Sequence, residues 1–147
     1  VLYSGDEIGQ LTDYTYHDDI MNQADSRYLH RGRFNWEHAK LRHEAGTRQQ
    51  VIFASLSELE TLRASNELFN VESAAWMIDT WDDHVLGMIR ANEEAKVIGL
   101  FNFSEEERIA WINEEDGMYQ DMISGTCMAA KGVRVPAYGY YWLLRME

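Results

Sequence analysis

An antiparallel β-sandwich in the second half of the chain, led in by a short strand, a long loop and one helix, is the fold class this sequence predicts. Three observations predict it. From Ala74 onward, seven β-branched, aromatic or alternating stretches recur at short spacing, with turn residues between them and no long crossover helix. Ahead of them, residues 47–66 carry an apolar stripe at helical spacing. Of 147 residues, 46% are apolar and 12% aromatic, sufficient for a buried core.

In chain order, Val1-Leu2-Tyr3 is a β-prone run stopped by Ser4-Gly5-Asp6, which reads as a buried strand ending in a Gly turn. Three residues make no stable strand alone, so a partner upstream is expected. The chain opens on Val rather than Met and reads as a piece of a longer polypeptide. Residues 4–46 have little periodicity. A loop of that length is functional or disordered, and Tyr14, Tyr16, Tyr28, Phe34 and Trp36 argue for an ordered one. Thr47 and Gln50 then form a capping box at the start of the helix. Ile52, Leu56, Leu59 and Leu62/Arg63 supply its stripe, uninterrupted by Gly or Pro through Asn66. The domain boundary is expected at about residues 66–72.

Strands are expected at 75–79, 84–90, 96–103, 108–112, 119–123, 132–135 and 138–144. The turns are Asp82-Asp83, Asn92-Glu93-Glu94, 104–107, Asp116-Gly117 and Ser124-Gly125. Asp-Gly is a strong two-residue hairpin signal, because both residues tolerate φ > 0. Pro136 sits just ahead of the last strand, where no ladder bond is lost.

Charge narrows the partners. With 25 acids against 13 Lys and Arg the formal net charge is −12, which disfavours nucleic acid and anionic membrane. The charge is −2 over residues 1–48 and −10 over 49–147. No apolar run approaches the ~20 residues of a membrane span, and no signal-peptide pattern is present. A complete (β/α)8 barrel, at roughly 250 residues, is too large for this chain. A lone cysteine, Cys127, excludes an internal disulfide and reads as a quiet, partly buried thiol.

Self-contained catalytic motifs are missing: no G-x-S-x-G, no phosphate-binding Gly loop, no G-x-G-x-x-G. Asp13, His17, Asp18, Asp19 and Asp25 could suggest a cation site. Their spacing fits neither an EF-hand nor a zinc helix, and solvated loop acids are the plainer reading. No cofactor is indicated. The stretch from Asp25 to Trp36 stands out, with Arg27, Arg31, Arg33, His30 and three aromatics in twelve residues. Arginine forks and aromatic faces suit a polyhydroxylated ligand. An arginine-rich loop holding its own acids Asp18, Asp19 and Asp25 is the competing reading. Trp76, Trp81 and Trp111 would be stacking residues if exposed, but at strand spacing they read as core.

These residues bring a family into view. Val1-Leu2-Tyr3-Ser4-Gly5-Asp6-Glu7-Ile8-Gly9 resembles the eighth barrel strand and following loop of the α-amylase family, glycoside hydrolase family 13. With Leu11-Thr12-Asp13-Tyr14 and Asp25-Ser26-Arg27-Tyr28-Leu29-His30-Arg31, the chain resembles the amylosucrases and sucrose hydrolases within it. Ala137-Tyr138-Gly139-Tyr140-Tyr141-Trp142-Leu143-Leu144 is similar to the last strand of that family's C-terminal domain. Tyr28 and Leu29 depart from the subgroup pattern, which leaves transferase and hydrolase undivided.

The resemblance implies a mainly β chain. An antiparallel Greek-key β-sandwich (domain C, residues 70–147) would follow the last strand, loop and helix of a (β/α)8 barrel, residues 1–69. It implies a retaining sucrose-acting parent that transfers glucose to a glucan or to water. Its catalytic carboxylates would lie on an N-terminal barrel of the same polypeptide outside this sequence, so the chain alone has no catalytic residues. Arg27 would close the floor of the sucrose pocket, Arg31 would stand near the sugar subsites, and Asp6 and Glu7 would brace the turn. The alternative is a non-catalytic sandwich that binds carbohydrate or packs on a neighbouring domain.

Overall fold

The computed structural model describes residues 2–146, which fall into two compact units, Val1–Glu60 and Thr61–Glu147. The first unit is built from single helical turns rather than irregular loop. Turns of 3-10 helix run over Asp6–Ile8, Tyr14–Asp18, Ser26–His30 and Leu41–His43, and α1 spans Trp36–Lys40. Three start on a short polar side chain that accepts a backbone N–H within the turn: Asp13 from Thr15, Asp25 from Arg27 and Asn35 from His38. Such local bonds compete with longer helix or sheet and hold the chain in single turns.

The expected first strand, which awaits a partner upstream, shows no ladder at Leu2 and Tyr3. Tyr3 donates its N–H to Asp6 Oδ2 at 2.8 Å and accepts the Asp6 N–H at its carbonyl, so it opens a turn. Among the described residues no strand lies beside Leu2 and Tyr3 to ladder with, and Val1 lies outside them.

The helix α2 spans Arg48–Ala64. Thr47 Oγ1 accepts the Gln50 N–H at 3.1 Å, but the Thr47 N–H goes to the Glu44 carbonyl, so the cap works in one direction only. Ile52, Leu56, Leu59 and Leu62 lie on a half-buried stripe, and no residue of α2 is fully buried. Gly9 approaches the stripe in left-handed conformation, φ 58°. A Cβ there would stand 2.4 Å from Ile52 Cδ1.

The second unit is the sandwich. Its strands are β1 (Ala74–Ile78), β2 (Val85–Ala91), β3 (Lys96–Asn102), β4 (Arg108–Trp111), β5 (Met118–Asp121), β6 (Cys127–Ala129), β7 (Lys131–Val135) and β8 (Tyr140–Arg145). They form a six-stranded antiparallel sheet ordered β1-β2-β3-β8-β5-β6 and a two-stranded sheet β4-β7. All seven expected strands are present within two residues, and β6, only three residues long, was not anticipated. Asp116-Gly117 does not make a hairpin: β4 pairs with β7 while β5 pairs with β6 and β8, so the segment crosses between sheets. Ser124-Gly125 does turn β5 into β6.

Register builds the core. Ile89 lies opposite Ile98, which lies opposite Leu143, and all three are fully buried. Leu100, Tyr119, Ala110, Ile112, Val133 and Val135 fill the space between the sheets. Burying such side chains contributes roughly 1.5–3 kcal/mol apiece. On the outer face, Met88, Gly99 and Trp142 form one row. Arg90 straps the segment before β1 onto that face, donating to the carbonyls of Leu68 and Asn70 at 3.1 and 2.7 Å. Phe69 then meets the Trp142 ring at 4.9 Å.

Two buried polar side chains tie the unit together. Asp121 accepts from the Ser124 N–H and hydroxyl and from the Trp142 N–H. Asn102, at the end of β3, shares its amide hydrogens among the carbonyls of Glu106, Val135 and Pro136 at 2.7–3.1 Å. Its own Oδ1 accepts the Ser104 N–H and hydroxyl. Beside this knot, Trp81 (φ 58°) and Tyr138 (φ 52°) are the non-glycine residues with left-handed backbone among the described residues. That conformation costs roughly 1–2 kcal/mol per residue.

Asn102→Ala is expected to lower the unfolding free energy by about 2–3 kcal/mol, because buried carbonyls lose their donor; urea denaturation of the full chain measures it.

Candidate functional site

In the first unit the two motif segments meet. The Asp13 N–H donates to the Leu29 carbonyl at 3.0 Å, drawing the residues after Gly9 against those after Asp25. Gly32 fits there because a Cβ would lie 2.8 Å from Asp13 Cβ. Gln10 clamps the far side, donating from Nε2 to the Arg33 carbonyl and accepting the Asn35 N–H at Oε1. Between the segments lies a cleft of about 290 Å³, bounded by Tyr3, Asp6, Gln10, Thr12 and His30.

Among the described residues Asp6 is the one carboxylate lining the cleft, and its Oδ2 already accepts the Tyr3 N–H. Glu7 accepts the Gly5 N–H at 2.9 Å. Both acids brace the turn at Gly5. A retaining glycosidase needs two carboxyl groups about 5 Å apart, and this cleft does not supply them.

Arg27 stands outside the cleft, its side chain 70% exposed. Its guanidinium forms a forked pair with Asp25, Nε to Oδ1 at 2.8 Å and a terminal nitrogen to Oδ2 at 2.6 Å. The same carboxylate caps the turn by accepting the Arg27 N–H. These bonds to Arg27, with the charges of Arg27 and Arg31, hold the Asp25 carboxyl down to about 2. Arg31 is the C-cap of that turn, its N–H bonded to the Tyr28 carbonyl. The structure therefore sets Arg27 and Arg31 at opposite ends of one turn, beside the cleft but not in its lining. Gln10 and His30 do line it; His30 belongs to the Arg-rich stretch, whereas Gln10 carries no sequence signal beyond lying between the motifs.

Two further loop acids bond locally. Asp13 binds the Thr15 N–H and hydroxyl, and Asp19 binds the Met21 N–H and the Asn22 amide. Hydrogen bonds from Thr15 lower the Asp13 pKa. No three His, Cys, Asp or Glu side chains converge as a metal site among the described residues.

In the sandwich, two expectations are corrected. Trp76, Trp81 and Trp111 are not core; they are 44%, 76% and 53% exposed. The smaller sheet has only two strands, and β1 at the rim of the larger one is exposed from Ala74 to Met77. Cys127, on the opposite rim, is exposed rather than partly buried, with Sγ 3.5 Å from Met146 Sδ.

Comparison with known proteins adds the fold. A family model described as the beta-galactosidase C-terminal domain matches residues 88–141, most of the sandwich. A maltogenic amylase from S. marinus shares the fold over 98% of this chain at 17% identity, with a TM-score of 0.59. A β-galactosidase from Bacillus circulans sp. alkalophilus aligns over 67% of the chain at 16% identity, with a TM-score of 0.40. The chain spans 17% of the first and 13% of the second. It carries a glycosidase-like β-sandwich.

Two expectations follow. Asp25 should titrate near 2 by carbon-detected NMR and return toward an ordinary carboxylate value in Arg27→Ala; because its folded pKa is the depressed one, the contribution of the pair is full above about pH 4 and fades as pH falls toward 2. Gly9→Ala should destabilise the first unit by roughly 1–3 kcal/mol, since it adds a methyl against Ile52 at positive φ; thermal unfolding followed by far-UV circular dichroism reads it.

Proposed function

We propose that this chain is the C-terminal part of a retaining, sucrose-acting enzyme of the α-amylase type, which moves a glucosyl group to a glucan or to water. Residues 1–69 would complete its catalytic barrel and residues 70–147 form the non-catalytic sandwich. The reading is carried by the Asp25-Ser26-Arg27 turn: its carboxylate both caps the backbone and fixes the guanidinium, so Arg27 is pre-oriented before any ligand arrives. Asp25 occupies Nε and one terminal nitrogen of Arg27, which leaves the other terminal nitrogen to reach a carboxylate or sugar hydroxyl supplied by the barrel. Arg31 adds a second donor set from the same turn. The glycosidase-like sandwich supports the placement.

The nucleophile, the acid/base and the transition-state-stabilising acid would come from the barrel. The isolated chain should therefore turn over no sucrose. In the longer polypeptide, Arg27→Ala should lower kcat/KM for sucrose tenfold or more, the loss of about 1.4 kcal/mol of transition-state binding. Unchanged sucrose kinetics in that variant would remove Arg27 from the pocket.

A second reading, a sandwich that itself binds carbohydrate, is favoured by the exposure of Trp76, Trp81 and Trp111.

A further inference from the structure

Antiparallel pairing sets three connections at one end of the sandwich. Val85 at the start of β2 faces Asn102 at the end of β3, and Phe101 faces Tyr140 at the start of β8. The β1–β2, β3–β4 and β7–β8 connections therefore share that end. Each presents one exposed aromatic residue: Trp81 at 76%, Phe103 at 68% and Tyr138 at 64%. Backbone bonds fix their mounts. The Phe103 N–H donates to the His84 carbonyl, and the Tyr138 N–H to the Ser104 carbonyl. The Trp81 N–H is held by Asp79 Oδ1 at 2.8 Å.

Trp81 and Tyr138 are also the two non-glycine residues in left-handed backbone among the described residues. Gly, Asn or Asp would serve such turns with less strain. Bulky rings in strained turns and in water are disfavoured twice over, and strain of this kind marks functional positions. A cleft of about 430 Å³ runs between the 79–84 turn and Phe103, lined by Asp79, Asp83 and His84 among others.

We propose that this loop end binds a neutral polysaccharide, a chain of linked hexoses of the α-glucan class. Trp81, Phe103 and Tyr138 would be stacking platforms, and the carboxylates of the cleft would accept sugar hydroxyls. Phe103 lines the cleft together with Asp79, Asp82 and Asp83, so one ring and several hydrogen-bond acceptors share a wall, the two kinds of group that a glycan's apolar ring faces and hydroxyl edges require. Asp79, Asp82, Asp83 and Glu105–Glu107 at this end repel phosphate or sulfate polymers. No ring contact joins the three aromatics to one another, whereas a cage that closes around one cation sets its rings close together. This deepens the second reading above and does not depend on the sucrose reading.

Native electrophoresis of the full 147-residue chain through gels with and without glycogen or amylose tests it. The chain should be retarded by the glucan. Trp81→Gly and Tyr138→Gly should each restore mobility and raise the dissociation constant for maltoheptaose, read by tryptophan fluorescence or calorimetry, about tenfold. Their unfolding midpoints should not fall, because glycine relieves the left-handed backbone. Met77→Ala, at an exposed position of β1 outside the three connections, should stay retarded. No retardation of the parent chain overturns the proposal, as does retardation that persists in the double glycine variant. Competition by tetramethylammonium but not by maltoheptaose would assign the surface to a cationic partner and overturn it as well. Sucrose turnover is read on the longer polypeptide, so either idea can fail while the other stands.

Discussion

The side-chain amide of Asn102 is the constraint on which the loop end of the sandwich depends. It is buried, and it reaches the carbonyls of Glu106, Val135 and Pro136, so one residue joins the end of β3 to the next connection, to the end of β7 and to the β7–β8 turn. The main chain of Asn102 adds a bond from its N–H to the Gly139 carbonyl. Buried polar groups are worth most when all members are satisfied, and no buried side-chain polar atom lacks a partner among the described residues. Phe103 directly follows Asn102, and Tyr138 lies between the anchored carbonyls of Pro136 and Gly139, which is how an exposed loop acquires a fixed shape.

The first unit works on a different economy. It lacks a continuous core and relies on short polar side chains that close single turns, with Asp13, Asp25 and Asn35 in equivalent roles. Asp25 does this and also binds Arg27, so the loop's most distinctive motif is at once a cap and an ion pair. The reading of a functional arginine and that of an arginine holding its own acid meet in one interaction.

What was legible in the sequence followed from periodicity. The α2 stripe and the alternation along β2 are period signals, β3 and β8 are continuous apolar or aromatic runs between turn residues, and the elements appear where those signals lie. What failed required knowledge of neighbours. Asp116-Gly117 has hairpin chemistry, but its flanking strands belong to different sheets. The three tryptophans read as core because strand tryptophans usually are, but Trp81 lies in the β1–β2 turn, Trp111 follows the inward-facing Ala110, and Trp76, opposite the buried Ile89, stands at a rim that the two-stranded sheet leaves uncovered. In the candidate site, Arg27 and Arg31 were visible through their motif, while Gln10 matters only through two bonds to residues more than twenty positions away.

The rim formed by β1 has a consequence for the molecule in solution. Ala74-Ala75-Trp76-Met77-Ile78 pairs on one side only, with β2, and contains neither charge nor proline. Such an edge invites another strand to add to it. Opposing that is the repulsion between copies that each carry −12. Salt shortens the range of this repulsion to roughly 10 Å at 0.1 M and leaves the backbone groups of the rim untouched. Ionic strength, more than temperature, should therefore govern whether the chain stays single.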